Sequence, residues 1–271
     1  MPSDRWVTLT TDFGSVYAAQ VKAVLASLAP RARLLELSDD LPAHGVPEAA
    51  FLLAHMASGF PPGTIHLAVI DPGVGGPRAP LVIRCPGGTH LVGPDNGLLA
   101  PLADRLGGGD GFRIDRARVP GPTRPSATFD GRDLFAPAAA LLALGRDVRR
   151  FATPAGYERY QIPSAQRRGA RISGKVLHVD RFGNVITNIP SEWVPAGPTR
   201  RVQVGTGRVR ELPVVRSYHE LPPRGIGVVG SSFGTVEISG RSAPAAGRLG
   251  ARVGEGVRID PGGPPSKYSR R

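Results

Sequence analysis

The segment Val69-Ile70-Asp71-Pro72-Gly73-Val74-Gly75-Gly76-Pro77-Arg78 carries an apolar run, Ile65 to Ile70, into an acid, a Pro/Gly-rich turn and an arginine. A buried strand that ends on a carboxylate and opens into a glycine loop is how open α/β sheets present chemistry at their strand ends. The glycines let the backbone come close to a ligand and turn its N–H groups toward it. An ordinary strand-to-turn junction with an exposed salt bridge fits the same residues.

Four more segments have residue types suited to nucleoside chemistry. Thr10-Thr11-Asp12-Phe13-Gly14 ends a strand on a carboxylate. Asp12 is placed either to accept hydrogen bonds from a ribose diol or to cap a helix beginning near Tyr17. Gly93-Pro94-Asp95-Asn96-Gly97 leads from a short strand into a helix, which Asp95 or Asn96 would cap. Thr128-Phe129-Asp130-Gly131-Arg132-Asp133 puts two acids and an arginine in one loop, equally readable as a surface salt-bridge cluster. In Val179-Asp180-Arg181-Phe182-Gly183-Asn184-Val185-Ile186-Thr187-Asn188, Phe182 can stack on a planar base. The Asn184 amide can pair with that base's ring nitrogen and exocyclic amine. A plain hairpin turn describes this segment too.

These segments sit at the ends of recognisable elements. Strands are expected at Trp6 to Thr11, Arg33 to Leu37, Thr64 to Ile70, Leu81 to Arg84 and near His90 to Val92. Helices are expected at Tyr17 to Leu28, Val46 to Ser58, Asn96 to Leu106 and Leu134 to Leu144. Strands alternating with helices imply an α/β N-terminal domain with a largely parallel central sheet, over residues 1–160. Gly156 to Gly169 is polar and reads as a linker. Beyond it, short apolar pieces recur between glycine and proline: Gly174 to Val179, Val185 to Ile189, Val202 to Val204, Gly225 to Val229 and Thr235 to Ile238. With no segment of helical period among them, residues 170–260 read as a small β-barrel domain, followed by a disordered tail at 261–271.

Composition narrows the class. The chain has 271 residues, 41% hydrophobic and 21% charged, with no apolar run of membrane-spanning length and no signal-peptide pattern at Met1 to Trp6. A single cysteine, Cys85, beside Val82 and Ile83, excludes an intramolecular disulfide and points to the cytoplasm. The formal charge of +12 rests almost wholly on arginine, since only Lys22, Lys175 and Lys267 are lysines. Those arginines are scattered without interleaved aromatics, so the charge is not read as a nucleic-acid site. The six histidines show no metal-ligand spacing, and no cofactor is expected.

In their order, T-T-D-F-G, I-D-P-G-V-G-x-x-R, G-P-D-N-G-L-L, G-R-D-x-F-A-P-A-A and D-x-F-G-N-x-x-T-N-I resemble the SAM hydroxide adenosyltransferases, or SAM hydrolases. These are relatives of the fluorinase and chlorinase enzymes. Ser231-Ser232-Phe233-Gly234-Thr235-Val236-Glu237-Ile238 resembles the family's C-terminal S-x-G-x-x-E-I segment, so the likeness runs over about residues 5–258. The resemblance implies cleavage of S-adenosyl-L-methionine (SAM) at C5′ to adenosine and methionine, in a homotrimer with sites at subunit interfaces. It implies that Asp12, next to Phe13, holds the ribose, that Phe182 and Asn184 contact adenine, and that Asp180 takes the methionine ammonium. Ser232 would take the methionine carboxylate, with Glu237 in the same segment. Asp71 and Arg78 match the family's water-handling acid and arginine.

Three positions depart from the family. Asp130 stands where the family loop has a histidine, Gly14 to Tyr17 is shortened, and Asp39-Asp40 falls where the family often has a histidine. Close to Asp71, Asp130 would share Arg78 with it. Three outcomes follow: a protonated Asp130 acting as donor, a reduced rate, or a site that only binds nucleoside. The alternative to a hydrolase is therefore a catalytically weak or silent SAM- or adenosine-binding protein.

Overall fold

The first strand of the computed structural model, β1 (Trp6–Thr11), is a β-rich W-V-T-L-T-T run, buried from its second residue onward. It is followed by α1 (Gly14–Leu28), β2 (Arg33–Ser38), α2 (Val46–Ala57) and β3 (Ile65–Val69). Then come β4 (Pro80–Arg84), β5 (His90–Pro94), α3 (Ala100–Arg105) and β6 (Asp110–Ile114). One turn of π-helix, Gly131–Phe135, runs into α4 (Ala136–Ala143), and β7 (Ala152–Pro154) closes this half. The structure describes residues 5–122 and 124–261, and the chain divides between Gln161 and Ile162 into two compact units.

The seven strands of the first unit lie in the order β2-β1-β3-β5-β4-β6-β7. The pairs β2–β1, β1–β3 and β3–β5 are parallel, whereas β4, β6 and β7 form an antiparallel extension. Val7, Leu9, Ile65, Leu67 and Val69 pack with Val21 and Leu25 of α1 and the alanines of α4 in one core. Because β2 and β3 lie on opposite sides of β1, the sheet has its topological switch point between β1 and β3. That is the crevice where open α/β sheets bind ligands.

The second unit contains β8 (Gln166–Arg168), β9 (Arg171–Val179), β10 (Val185–Pro190), β11 (Gly197–Val204) and β12 (Arg210–Val214). It continues with β13 (Ile226–Gly230), β14 (Thr235–Gly240), α5 (Ala245–Leu249) and β15 (Gly256–Pro261). Seven strands close into a barrel in the order β10-β14-β13-β12-β11-β15-β9, sealed by the β9–β10 pair, and β8 adds to β9. Inward residues such as Val176, Val185, Val202, Val228, Ile238 and Ile259 fill it.

Several sequence expectations are corrected. Asn96 to Leu106 is helical only from Ala100, because Gly97 adopts φ +88°. The β half does contain a helix, α5, too short to show a period. β6, β12 and β15 were not anticipated; each alternates apolar with charged residues or carries a proline. The tail expected at 261–271 lies, beyond Pro261, outside the described residues. No helix among the described residues is long and apolar enough to cross a membrane.

The parallel strands bury the rings of His66 and His90, and His66 is the more enclosed. His66 is 1% exposed and faces its strand neighbour Thr8, with Nδ1 2.8 Å from the Thr8 hydroxyl. Burial pushes its pKa down to about 4. The unfolded chain takes up this proton below about pH 6.5 and the folded chain does not, so stability falls as the pH drops from there toward 4. Between pH 7 and 4.5, wild type should lose roughly 2–3 kcal/mol more than His66→Gln in equilibrium urea unfolding. Parallel pH dependence in the two proteins would contradict this assignment.

Candidate active site

All four parallel strands lead into polar or acidic residues at their C-terminal ends, and two of these flank the switch point. Asp12 follows β1, and Asp71 follows β3 after Ile70, with Thr11 and Val69 paired in register. After Asp71 the chain folds into two tight turns, Val74 N–H donating to Asp71 C=O and Gly76 N–H to Gly73 C=O. These turns bring Arg78 back onto the acid that precedes them. Arg78 Nε lies 3.0 Å from each Asp71 oxygen, and its Nη2 also donates to Oδ2. The pair is buried, not an exposed salt bridge, with side chains 11% and 5% accessible.

Asp130 joins this pair. Arg78 Nη2 donates to Asp130 Oδ2 at 2.7 Å, and Arg116 Nη2 donates to Asp130 Oδ1 at 2.7 Å. Both Asp130 oxygens therefore lie on an arginine. The Arg78 guanidinium lies over the Phe135 ring at 5.4 Å. Burial disfavours its charge, but hydrogen bonds to Asp71 and Asp130 outweigh that and raise its pKa above the ordinary arginine range. Asp71, Arg78, Asp130 and Arg116 thus form a chain of alternating sign and zero net charge.

The surrounding segments fix these groups. Asp133 accepts from Ser126 N–H at 2.7 Å and from Arg132 Nε at 2.6 Å, closing the loop that carries Asp130. Arg132 and the Ser126 amide hold the Asp133 carboxyl below its usual range despite its burial. Neither Asp95 nor Asn96 caps α3, whose N-cap is Leu99 with no side-chain bond; Asn96 Oδ1 accepts from Leu98 N–H, while its Nδ2 donates to Ile70 C=O at 2.9 Å, one residue before Asp71. Phe13 packs edge-on against Phe129 at 5.7 Å and against Tyr17 at 6.3 Å. Asp12 does not cap α1, whose first turn has no side-chain cap; its Oδ2 accepts from His44 N–H at 3.0 Å.

The barrel unit holds the other predicted residues. The loop joining β9 to β10 is built around Asp180, whose Oδ1 accepts from the Phe182 and Asn184 amides, both at 2.9 Å. Asn184 Nδ2 donates to Asp180 Oδ2, which leaves its second N–H and its Oδ1 for other partners. Gly183 in this loop has φ +79°, and a Cβ there would lie 2.6 Å from Pro244. Its C=O accepts from Ala246 N–H, so α5 anchors the loop. Phe182 is 65% exposed. With Asp180 and Asn184 it lines a cavity of about 770 Å³ that also includes Tyr218, His219 and Arg241.

Ser232 and Glu237 do not line this cavity. Ser232 is exposed in the turn between β13 and β14, and Glu237 is buried, accepting from Tyr218 Oη at 2.8 Å and from Ser239 Oγ. Burial and Glu237 push the Tyr218 phenol up to about 12. Tyr218 and Arg116 were missed in the sequence, the first in a three-residue 3₁₀ turn, Tyr218–Glu220, and the second among many scattered arginines. Among the described residues no cluster of His, Cys, Asp or Glu could hold a metal ion.

One glycine tests how tightly the acid–arginine loop is held. Gly75 has φ +76°, and a Cβ there would stand 2.7 Å from the Ala127 carbonyl oxygen. Gly75→Ala should cost about 1–3 kcal/mol through strain and clash. A clearly lowered thermal midpoint for this variant, with Gly63→Ala as a left-handed control without a close neighbour, is the expected result.

Comparison with known proteins agrees with this layout. The family model for the SAM hydroxide adenosyltransferase N-terminal domain matches residues 7–152, and that for the C-terminal domain matches 174–258. The chain is 35% identical over 274 residues to an (R)-S-adenosyl-L-methionine hydrolase of Salinispora arenicola, covering 97% of this chain and 100% of the relative. It is 37% identical over 266 residues to the enzyme of that name from Thermus thermophilus, covering 94% and 99%. The crystal structure of an uncharacterized conserved protein from Thermotoga maritima superposes with a TM-score of 0.86 at 30% identity, covering 94% of this chain and 99% of that one. With both halves matched in order and relatives similar along their whole length, the chain belongs to the SAM hydroxide adenosyltransferase family.

Proposed function

We propose that this protein hydrolyses S-adenosyl-L-methionine at C5′, giving adenosine and L-methionine. The observation that carries the reading is the buried Asp71–Arg78 pair at the switch point of a chain belonging to this family. Water attacks C5′ in line with the departing sulfur; a C–O bond forms, the C–S bond breaks, and the sulfonium leaves as a neutral thioether. Because positive charge is lost at sulfur, a site that strips water from the sulfonium favours reaction, and the leaving group needs no metal or cofactor. The role of the Asp71 carboxylate is to align the water and accept its proton as the C–O bond forms and the water becomes acidic. Arg78 holds the carboxylate and can orient the water oxygen.

Asp12 is the proposed ribose ligand, with Phe13 beside it. Phe182 and Asn184 are the proposed adenine contacts, the latter through Oδ1 toward the exocyclic amine. Asp180 and Ser232 are proposed for the methionine ammonium and carboxylate, with Glu237 supporting the wall through Tyr218. The named relatives specify the (R) sulfonium, which is the epimer to test first. A cytoplasmic setting belongs to the same proposal, in keeping with the single buried Cys85. The silent-binder reading is weaker: Asp130 has its own second arginine, so Asp71 keeps both of its oxygens on Arg78.

Purified protein incubated with SAM should release adenosine and methionine in equal amounts. Asp71→Asn should lower kcat by roughly 10²–10⁴-fold, the usual loss for a proton-accepting group. Absence of adenosine above background would overturn the reading.

We also propose a homotrimer in which one subunit's acid–arginine half-site works with another's adenine-reading loop. What supports this is that each half carries chemistry the other lacks. If so, Asp71→Asn and Phe182→Ala chains refolded together should regain about a quarter of wild-type sites, as expected for independent halves meeting around a ring. Sites contained within single chains would regain none.

A further inference from the structure

We propose that Arg116 is a positioning residue for this cleavage: acting through Asp130, it keeps the Arg78 guanidinium on Asp71. This assignment rests on the hydrolase reading above and concerns how its acid–arginine pair is held. Arg78 Nη2 is shared, donating to Oδ2 of Asp71 and to Oδ2 of Asp130. Both carboxylates are nearly closed to water, at 5% and 4% side-chain exposure. With Arg78 alone, two buried negative charges would compete for one cation, and each movement toward Asp130 would loosen Asp71. A buried carboxylate without enough partners is costly, so that competition would be strong.

Arg116 relieves it. Its Nη2 takes the other Asp130 oxygen at 2.7 Å, from a side chain that is itself 49% exposed. The second cation is thus supplied from the surface to a carboxylate that is not. Its placement is built into the backbone: β6 ends at Ile114, and the next residues form a 3₁₀ turn, Arg116–Arg118. Asp115 caps that turn by accepting from Ala117 N–H at 3.0 Å. Asp115 also pairs with Arg118 Nε at 3.0 Å, which draws the neighbouring arginine away and leaves Arg116 for Asp130. With Asp130 satisfied on both sides, Arg78 Nε remains symmetric between the Asp71 oxygens, 3.0 Å from each. The Asp130–Arg116 pair therefore works as a unit, in the position where the family resemblance places one histidine.

The test is a set of variants assayed for kcat and KM with SAM, with thermal midpoints measured in parallel. Arg116→Gln should lower kcat on the order of 100-fold, as expected when a reacting group is displaced, with KM unchanged. Arg116→Lys, which keeps the cation, should recover most of that loss. In an Asp130→His background, where no acid needs a second cation, Arg116→Gln should cost nothing. Equal kcat for wild type and Arg116→Gln would overturn the assignment. So would a loss of the same size in the Asp130→His background, or failure of lysine to rescue. Should Arg116→Gln not fold, Arg116→Met is assayed in its place, with the same expected loss of kcat and the same overturning result. An inert wild type overturns the hydrolase reading and this assignment together, whereas an active wild type indifferent to Arg116→Gln overturns only the assignment.

Discussion

Arg78 lies between two carboxylates that water barely reaches, and the arrangement of the first unit follows from keeping it there. Removing a carboxylate from water costs several kcal/mol even after relaxation, and only close, well-directed hydrogen bonds offset that cost. The geometry meets this demand with a guanidinium that reaches both Asp71 oxygens and one of Asp130, and with a second arginine on the remaining oxygen. Such a set tolerates little displacement. This accounts for the glycine turns that bring Arg78 back onto Asp71, for the close approach of Gly75 to Ala127, and for the Asn96 amide clasping Ile70.

The sheet explains why these groups meet at all. Strand order, not strand direction, reverses at β1, since β2 lies on one side of it and β3 on the other, so the ends of β1 and β3 border a crevice that no crossover helix fills. Asp12 and Asp71 belong to that border by register, since Thr11 and Val69 are paired. Asp130 arrives from elsewhere in the chain, on a loop closed by Asp133 and released into α4 through one turn of π-helix. Single π-turns inside helices are frequent at functional sites, and here the residue before the turn is Asp130, which shares Arg78 with Asp71.

Most of the architecture was legible because period and punctuation agreed. The alternating β1, α1, β2, α2 and β3 carry clean apolar patterns, and each functional segment lies where such a pattern stops. What was hidden has a physical explanation in each case. β12 and β15 place charged residues between their apolar ones, as in Val257-Arg258-Ile259-Asp260, where Asp260 is buried against Arg171 and Arg258. α5 spans five residues, too few to display helical period, yet it anchors the loop of Phe182 and Asn184 through Ala246. Arg116 belongs to no motif, and only the three-dimensional position of Asp130, 14 residues away, sets it apart from other arginines.

The β9–β10 loop shows why a structural and a functional reading of one residue need not compete. Asp180 can be read as a turn residue or as a ligand group, and its oxygens do accept the Phe182 and Asn184 amides and the Asn184 side chain. By holding the loop, those bonds fix an exposed phenylalanine and a polar amide at the edge of one cavity before any ligand arrives. Ordering such side chains on binding would cost conformational entropy, and a loop already held in place avoids much of it. A carboxylate also has more acceptor sites than three N–H groups fill, so Asp180 can close the turn and still receive a donor from the cavity. The same logic holds in the first unit, where bonds that stabilise Asp71 also decide which of its lone pairs stay open to a water.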